Sequence, residues 1–177
     1  MIQRTLCGMI LRRRQEMSED VAVEKSQYLT FTLDKEQYAI DVAKVKEVLE
    51  YSTVTKVPRT PLFMRGVINL RGSVVPVVDL RMKFDMGETE KTISTSIIVV
   101  EVIIEGETVV IGTLADSVQE VINLDRGQIE PTPQIGTKID ADFIEGIGKQ
   151  DGRFIMILDI DRVFTESDLQ QLDRTAI

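Results

Sequence analysis

The stretch that decides the fold is residues 63–80, FMRGVINLRGSVVPVVDL. Two apolar runs rich in β-branched residues, Gly66–Leu70 and Val74–Leu80, flank a short segment that contains Gly72. Short runs of this kind around a glycine turn predict a β-hairpin, which Gly66 opens.

The hairpin pattern occurs a second time at residues 143–160, FIEGIGKQDGRFIMILDI. An offset of 80 residues matches one Phe, two glycines and one Asp: Phe63 with Phe143, Gly66 with Gly146, Gly72 with Gly152, and Asp79 with Asp159. An offset of 73 places Val45–Val48 (VKEV) on Val118–Val121 (VQEV). The chain is therefore predicted to be an internal duplication, with the four glycines at structural turns. The period of about 70–80 residues is too long for a solenoid or propeller.

The charge distribution argues against nucleic acid as a partner. The net charge is −8 over 177 residues, and residues 1–17 carry four Arg and one Glu, so the remainder carries −11. An acidic body repels phosphate backbones. No apolar run approaches the ~20 residues of a membrane span, so no direct membrane insertion is expected.

The chain contains no His and a single Cys, Cys7. One cysteine cannot form an intramolecular disulfide, so a reducing compartment, the cytoplasm, is expected. His is the commonest general base and a common metal ligand, and no motif supplies another base for a Ser or Thr nucleophile. We therefore predict no catalytic residue, no enzyme activity, no metal and no cofactor.

Two further patterns have simpler explanations than a ligand site. The glycines of Gly146–Gly152 lack the spacing of a dinucleotide fingerprint and lead into a strand, which favours turn glycines. Asp159 and Asp161 could hold a hard cation, but no further ligands are visible, which favours strand-end or turn-capping carboxylates.

Alternating and β-branched runs predict a mostly β chain with short helices. Besides the two hairpins, strands are predicted at Tyr28–Leu33, Tyr38–Val42, Val54–Val57, Ile97–Ile104, Val109–Leu114 and Val118–Leu124. Val45–Leu49 could be helix or strand. Thr60 and Pro61 predict the start of a brief helix, and Pro76 predicts an edge or a bulge. Further short helices are predicted at Arg81–Met86, at 140–145 and, from the capping box Ser167–Gln170, at 167–174.

The domain organisation predicted from these elements has three parts. Residues 1–26 form a flexible N-terminal extension, in which Met17 is a plausible natural start. Residues 27–173 form one domain with subdomains at about 28–86 and 95–164, joined by a polar hinge at Gly87–Thr95. A basic membrane-surface anchor is the alternative for residues 1–17.

These residues resemble the CheW-like domain family of bacterial chemotaxis coupling proteins. The resemblance covers residues 27–173, and the segment NLRG followed by VPVVDL is its most specific part. The residues that carry it are Tyr28–Leu33 (YLTFTL), Tyr38–Val48 (YAIDVAKVKEV), Gly66–Leu80 (GVINLRGSVVPVVDL) and Leu158–Ile160. The same domain occurs in the histidine kinase CheA and in CheV, but this chain has no room for kinase or receiver domains. Residues 1–17 have no counterpart in the family.

The resemblance implies two five-stranded, SH3-like β-barrels around a shared core. It also implies a non-enzymatic adaptor that couples the cytoplasmic tips of chemoreceptors (methyl-accepting chemotaxis proteins) to the regulatory domain of CheA. Barrel-to-barrel pairing with CheA could close into rings. The protein would then be cytoplasmic and recruited to membrane-associated receptor arrays.

By motif match, the expected receptor-binding residues are Val45, Glu47, Val48 and Arg71. The second half keeps the glutamate as Glu120 but has Asp151 in place of the arginine. A solvated charge in a hairpin turn is the alternative for Arg71.

Ile97 and Val118 are weaker kinase-binding candidates, for which core burial is an equally good explanation. A protein of another class, a small-ligand-binding β-barrel sensor domain, is the alternative function.

Overall fold

A computed structural model describes residues 26–133 and 141–173 of the chain. Eleven strands lie in these ranges and form two sheets, which confirms a mostly β fold. The strands are β1 Ser26–Leu33, β2 Glu36–Asp41, β3 Val45–Glu50, β4 Met64–Leu70, β5 Ser73–Asp79, β6 Ser96–Ile104, β7 Glu107–Ala115, β8 Ser117–Leu124, β9 Ile129–Glu130, β10 Ile144–Gln150 and β11 Arg153–Leu158.

The helices in the described ranges are short. The α-helices are α1 Leu80–Lys83, α2 Ile160–Val163 and α3 Glu166–Asp173, and 3-10 turns span Val42–Lys44, Arg126–Gln128 and Ala141–Phe143. Residues 1–25 of the predicted extension lie outside the described residues, and so does residue 174 of the predicted C-terminal helix.

The two halves of the sequence exchange a hairpin. The first sheet has the order β8-β1-β2-β11-β10-β9, and the second has the order β3-β6-β7-β5-β4. The first sheet therefore combines the β1–β2 hairpin of the first half with four strands of the second half. The second sheet combines the β6–β7 hairpin of the second half with three strands of the first half. Parallel pairing joins the halves, with Ala39 opposite Ile157 in the first sheet and Gly112 opposite Val77 in the second. Neither sheet is built from one of the predicted ranges 28–86 and 95–164 alone.

The main hydrophobic core is shared between the halves. Buried side chains from both halves form one cluster, which includes Phe31, Tyr38 and Ile111 of the strands. Leu80 and Ile160, the first residues of α1 and α2, belong to the same cluster. Phe31 and Tyr38 are fully buried and stack with their ring centroids 6.1 Å apart. Burial of this kind supplies most of the stabilisation of a small β domain.

Four hairpins turn through two residues with positive φ. These turns are Asp34-Lys35, Arg71-Gly72, Glu105-Gly106 and Asp151-Gly152. Two consecutive residues with positive φ are typical of a type I′ turn, whose twist matches that of the flanking strands. Gly72 and Gly152 thus lie in hairpin turns.

Gly66 and Gly146 lie inside strands β4 and β10, so the prediction that they sit at turns was wrong. Each glycine lets another segment cross the strand closely. A Cβ atom on Gly66 would lie 2.0 Å from the carbonyl oxygen of Thr55, and one on Gly146 would lie 2.9 Å from that of Glu130. The missing side chain therefore serves close backbone approach at these two positions.

The segment before β4 also differs from its prediction. Val54–Val57 forms a single bridge, between Thr55 and Val67, instead of a strand. No helix follows Thr60, since residues 61–63 form a turn and Thr60 Oγ1 donates to the carbonyl of Val57. A Thr-Pro pair favours turns as well as helix starts, and the nearby Gly66 leaves no length for a helix.

Two other local assignments are settled by the pairing. Val45–Glu50 is a strand paired with β6. Pro76 pairs with Val67 of β4 but lies just before the stretch of β5 that pairs with β7. Residues 73–76 therefore pair on one side only, and the strand has a free edge at Pro76, as predicted.

The capping box of the C-terminal helix is shifted by two residues from the predicted Ser167. Asp168 Oδ2 accepts from the backbone N–H of Thr165 (2.8 Å), and Thr165 Oγ1 accepts from that of Asp168 (3.3 Å). Asp168 also accepts from Lys83 Nζ at 2.8 Å, and these two side chains are only 11% and 10% exposed. The same ammonium lies 4.4 Å from the ring centroid of Phe63. This ion pair anchors α3 to the first half of the chain.

We expect the contribution of Asp168 to stability to be lost in acid. Burial opposes ionisation of Asp168, but the hydrogen bonds from Lys83 and Thr165 prevail, so the pKa of this carboxyl is lowered. A carboxyl with a lowered folded-state pKa stabilises the fold above its unfolded pKa of about 3.9 and stops doing so as the pH falls through the folded value. Asp168→Asn should cost about 1–2 kcal/mol of unfolding free energy at pH 7.

Urea unfolding at a series of pH values checks this expectation. The difference in unfolding free energy between wild type and Asp168→Asn should shrink below about pH 4. Asp151→Asn, which changes an exposed turn carboxylate, is the matched control and should differ little from wild type at pH 7. A constant difference for Asp168→Asn down to pH 2 would contradict the assigned ionisation.

Candidate protein-binding site

The structure brings Glu47 and Arg71 together at the seam of the second sheet. Arg71 Nη2 donates to Glu47 Oε2 at 3.2 Å, and the arginine side chain is 79% exposed whereas that of the glutamate is 20% exposed. Glu47 lies on β3 and Arg71 lies in the β4–β5 turn, which are at opposite edges of the sheet order. The ion pair therefore links the two edges of the curled sheet.

The turn that carries Arg71 is built by local hydrogen bonding. Arg71 has a φ of 51° and Gly72 has a φ of 88°. The side-chain oxygen of Asn69 accepts from the backbone N–H of Gly72 at 2.8 Å. The sequence Asn-Leu-Arg-Gly thus holds a guanidinium out from a rigid hairpin tip.

Glu47 retains hydrogen-bonding capacity at this site. Its Oε1 atom is buried and has no partner in the part of the chain that the structure describes. A buried carboxylate oxygen without a partner costs free energy. An exposed ion pair of this type adds only about 0–1 kcal/mol to folding.

The other two predicted receptor-binding residues lie on different faces of β3. Val45 is partly buried and packs against the main core, whereas Val48 is 42% exposed. Burial alternates along β3 from Val45 to Glu50. Val48 therefore points away from the side on which Glu47 lies, and the structure does not bring all four residues into one patch.

The second half lacks an equivalent ion pair. Glu120 and Asp151 are both exposed, and both carry negative charge. Exposed apolar side chains, by contrast, occur at equivalent positions of the two halves. Val121 is 51% exposed and its counterpart Val48 is 42% exposed, while Phe154 is 65% exposed and its counterpart Val74 is 56% exposed. Sequence analysis missed Val74 and Phe154. Their position just beyond a hairpin turn, on the outward face of a strand, was the signal available.

The two kinase-binding candidates have different environments. Ile97 is fully buried in a core cluster with Val77 and Leu114, so it offers no surface to a partner. This placement favours the alternative of core burial. Val118 is partly buried against the main core, and its binding role stays a prediction.

Nothing in the described ranges resembles a catalytic centre. No group of three or more metal-binding side chains could hold a metal ion there. Among the same residues, no helix is long and apolar enough to cross a membrane. Asp79 and Asp159 accept hydrogen bonds from the backbone N–H groups that begin α1 and α2, as the turn-capping explanation predicts. The fold therefore defines a duplicated module of two curled β-sheets.

Comparison with known proteins shows the family to which this chain belongs. Residues 27–168 match the CheW-like domain, and the chain belongs to that family. Chemotaxis protein CheW of Klebsiella aerogenes is 35% identical over 150 residues, which cover 85% of this chain and 88% of that protein. Chemotaxis protein CheW of Bacillus subtilis is 36% identical over 143 residues, with coverages of 80% and 88%.

A solved structure is similar over most of the chain. The scaffolding protein TtCheW from Thermoanaerobacter tengcongensis superposes with a TM-score of 0.71 at 38% identity, covering 82% of this chain and 91% of that one. Family membership places this protein among the non-enzymatic scaffold proteins of bacterial chemotaxis. The predictions of family, fold class and absence of enzyme activity are thereby confirmed.

Proposed function

We propose that this protein couples chemoreceptors to the histidine kinase CheA, acting in the cytoplasm at membrane-associated receptor arrays. The observation that carries the proposal is the Glu47–Arg71 pair, an exposed guanidinium on a rigid hairpin tip beside a partly unpaired carboxylate. Arginine at the centre of a contact is a typical hot-spot residue. We assign this pair to the receptor and assign the second half, including Val118, to the regulatory domain of CheA.

The structure gives less support to the alternative of a small-ligand sensor. Large side chains fill the main core, where Phe31, Leu33 and Tyr38 are fully buried. Ligand sites in β-barrels need an interior cavity. The cavities described, of about 320, 490 and 640 Å³, all have charged or polar residues in their lining and lie at the surface.

Arg71→Asn should weaken receptor binding at least about tenfold with little effect on folding. Asn tolerates the positive φ of this turn position, so the substitution removes the guanidinium without straining the hairpin. Titration calorimetry with a soluble receptor-tip fragment measures the affinity, and urea unfolding checks stability.

The matched control is Asp151→Asn, which makes the same kind of change at the equivalent turn of the second half. It should leave receptor affinity unchanged. Glu47→Gln should weaken receptor binding in the same direction as Arg71→Asn, and the double variant should be less than additive because the two side chains are in contact. Normal receptor affinity of a folded Arg71→Asn protein would refute the site, and equal loss of CheA binding would move it to another interface.

A further inference from the structure

The first half of the chain has an open cavity that is lined mainly by apolar residues. Its volume is about 320 Å³, and it lies beside the turn at residues 61–63 that leads into β4. Five of its nine lining residues are apolar: Val57, Pro61, Leu62, Met64 and Met82. Leu62 is the most prominent of these, since it is 86% exposed. An exposed apolar side chain at the mouth of a cavity is typical of a site where another protein docks.

The internal duplication shows that the fold does not require apolar residues at this place. With the offset of 80, Leu62 corresponds to Asp142 and Met82 corresponds to Arg162. Asp142 precedes β10 as Leu62 precedes β4, and Arg162 lies in α2 as Met82 lies in α1. Asp142 and Arg162 are both exposed. The apolar character of the first half therefore belongs to its surface and not to the packing that both halves share.

Two cations at the cavity have no anionic partner. Lys56 lines the cavity, and Arg59 lies within residues 57–60, a segment whose two ends also line it. Both side chains are exposed, and neither forms an ion pair within the described part of the chain. The third cation of the cavity, Arg65, is paired with Glu88. On a chain with a net charge of −8, Lys56 and Arg59 create a local region of positive charge.

The backbone holds Arg59 in a conformation that side-chain-bearing residues rarely adopt. Its φ is 60°, and Pro58 precedes it. A proline followed by a residue with positive φ is the pattern of a type II turn, in which Gly or Asn is the usual second residue. Residues kept in this conformation cluster at functional sites. The placement of an arginine here is thus a second observation, independent of the apolar lining, that points to an anionic ligand group.

We propose that this cavity docks a segment of a partner protein in which carboxylates flank a large apolar side chain. The apolar side chain of the guest would pack against Leu62 and Met82, because leucine and methionine adapt to apolar groups of different shape. Its carboxylates would pair with Lys56 and Arg59. Arginine can hold a carboxylate through two parallel hydrogen bonds, which gives the contact a defined geometry.

The cavity is separate from the Glu47–Arg71 pair. Met64 lines the cavity and begins β4, whereas Arg71 follows Leu70, the last residue of that strand. A strand rises about 3.3 Å per residue, so the length of β4, about 20 Å, separates the two sites. The inference therefore goes beyond the coupling of receptor and kinase, and each proposal can fail without the other.

Amide chemical shifts of the isotope-labelled full chain, titrated with the capped peptide Glu-Asp-Leu-Leu-Asp-Glu, test the proposal. We expect saturable shifts at residues 56–65 and 82. Two control peptides separate the contributions: Glu-Asp-Ser-Ser-Asp-Glu lacks the apolar side chains, and Gln-Asn-Leu-Leu-Asn-Gln lacks the charges. Each control should bind at least about tenfold more weakly. Equal binding of the three peptides, or shifts spread over the whole chain, would overturn the proposal.

Three variants sharpen the test. Leu62→Ser should fold normally, as urea unfolding would show, and should weaken binding of the acidic leucine peptide at least about tenfold. Arg59→Asn keeps a residue that tolerates positive φ and should weaken binding at least about fivefold. Arg153→Gln removes an exposed cation of the second half and should change nothing.

Two results would contradict the assignment directly. Wild-type affinity in a folded Leu62→Ser protein would show that the peptide does not use the cavity. Concentration-dependent shifts at residues 56–65 without any peptide would assign the cavity to a second copy of this chain instead of a partner protein.

Discussion

Gly66→Ala should destabilise the protein by at least about 4 kcal/mol, a large part of the roughly 5–15 kcal/mol that stabilises a typical domain. Two independent costs combine at this position. The residue has a φ of +142°, which side-chain-bearing residues rarely adopt, and its Cβ would lie 2.0 Å from the carbonyl oxygen and 2.7 Å from the carbonyl carbon of Thr55. Thr55 cannot retreat, since it exchanges two backbone hydrogen bonds with Val67.

Other glycines of the chain provide graded controls. At Gly146 the backbone φ is unremarkable and the closest atom, 2.6 Å away, is the Cγ2 of Ile129, so Gly146→Ala should cost less than Gly66→Ala. Nothing lies within 4 Å of a Cβ on Gly127, so Gly127→Ala should be close to neutral. Urea unfolding of the three variants measures the series, and a Gly66→Ala protein as stable as Gly127→Ala would contradict the strand crossing.

Separating the two halves should abolish folding of both. A fragment ending in the 87–95 linker keeps the β1–β2 hairpin but loses every strand that flanks it in the first sheet. It also loses β6 and β7, which supply the centre of the second sheet. An isolated two-stranded hairpin is marginally stable at best, so neither fragment retains a complete sheet.

Calorimetry and fragment mixing check this expectation. The intact chain should unfold in one transition whose calorimetric and van't Hoff enthalpies agree. Each fragment alone should show no cooperative transition, and mixing the two should restore one. Two resolved transitions in the intact chain, or a separately folded fragment, would contradict the exchanged topology.

The repeat could be predicted from sequence because its markers are local. Residues such as Gly72 and Asp79 act on their immediate neighbours through a turn or a helix cap, so the same residue recurs wherever the same local geometry is needed. Strand periodicity at β1 and β6 likewise reports only that one face is buried. These signals were sufficient for a mostly β duplicated chain, whereas Glu47 and Arg71 were selected through the family motif.

Partnership between distant segments could not be predicted in this way. Nothing in the pattern of β2 says that it pairs with β11 of the other half, because parallel pairing at Ala39 and Ile157 leaves no local mark. Gly66 was assigned to a turn for the same reason, since the crossing backbone of Thr55 comes from elsewhere. Ile97 resembled a surface candidate until β5 and β7 were placed against it.

The exchanged hairpin also carries information about ancestry. A half-length chain with this topology would have its β1–β2 hairpin outside the sheet of its own other strands, and it could complete a sheet only on a second copy of itself. The present chain has the strand pairing that such a swapped dimer would have if its two copies were joined through the 87–95 segment. Once the two copies were joined, their surfaces were free to diverge. The replacement of Arg71 by Asp151 and of Leu62 by Asp142 is what that freedom allows: one polypeptide offering two unlike faces from a single inherited plan.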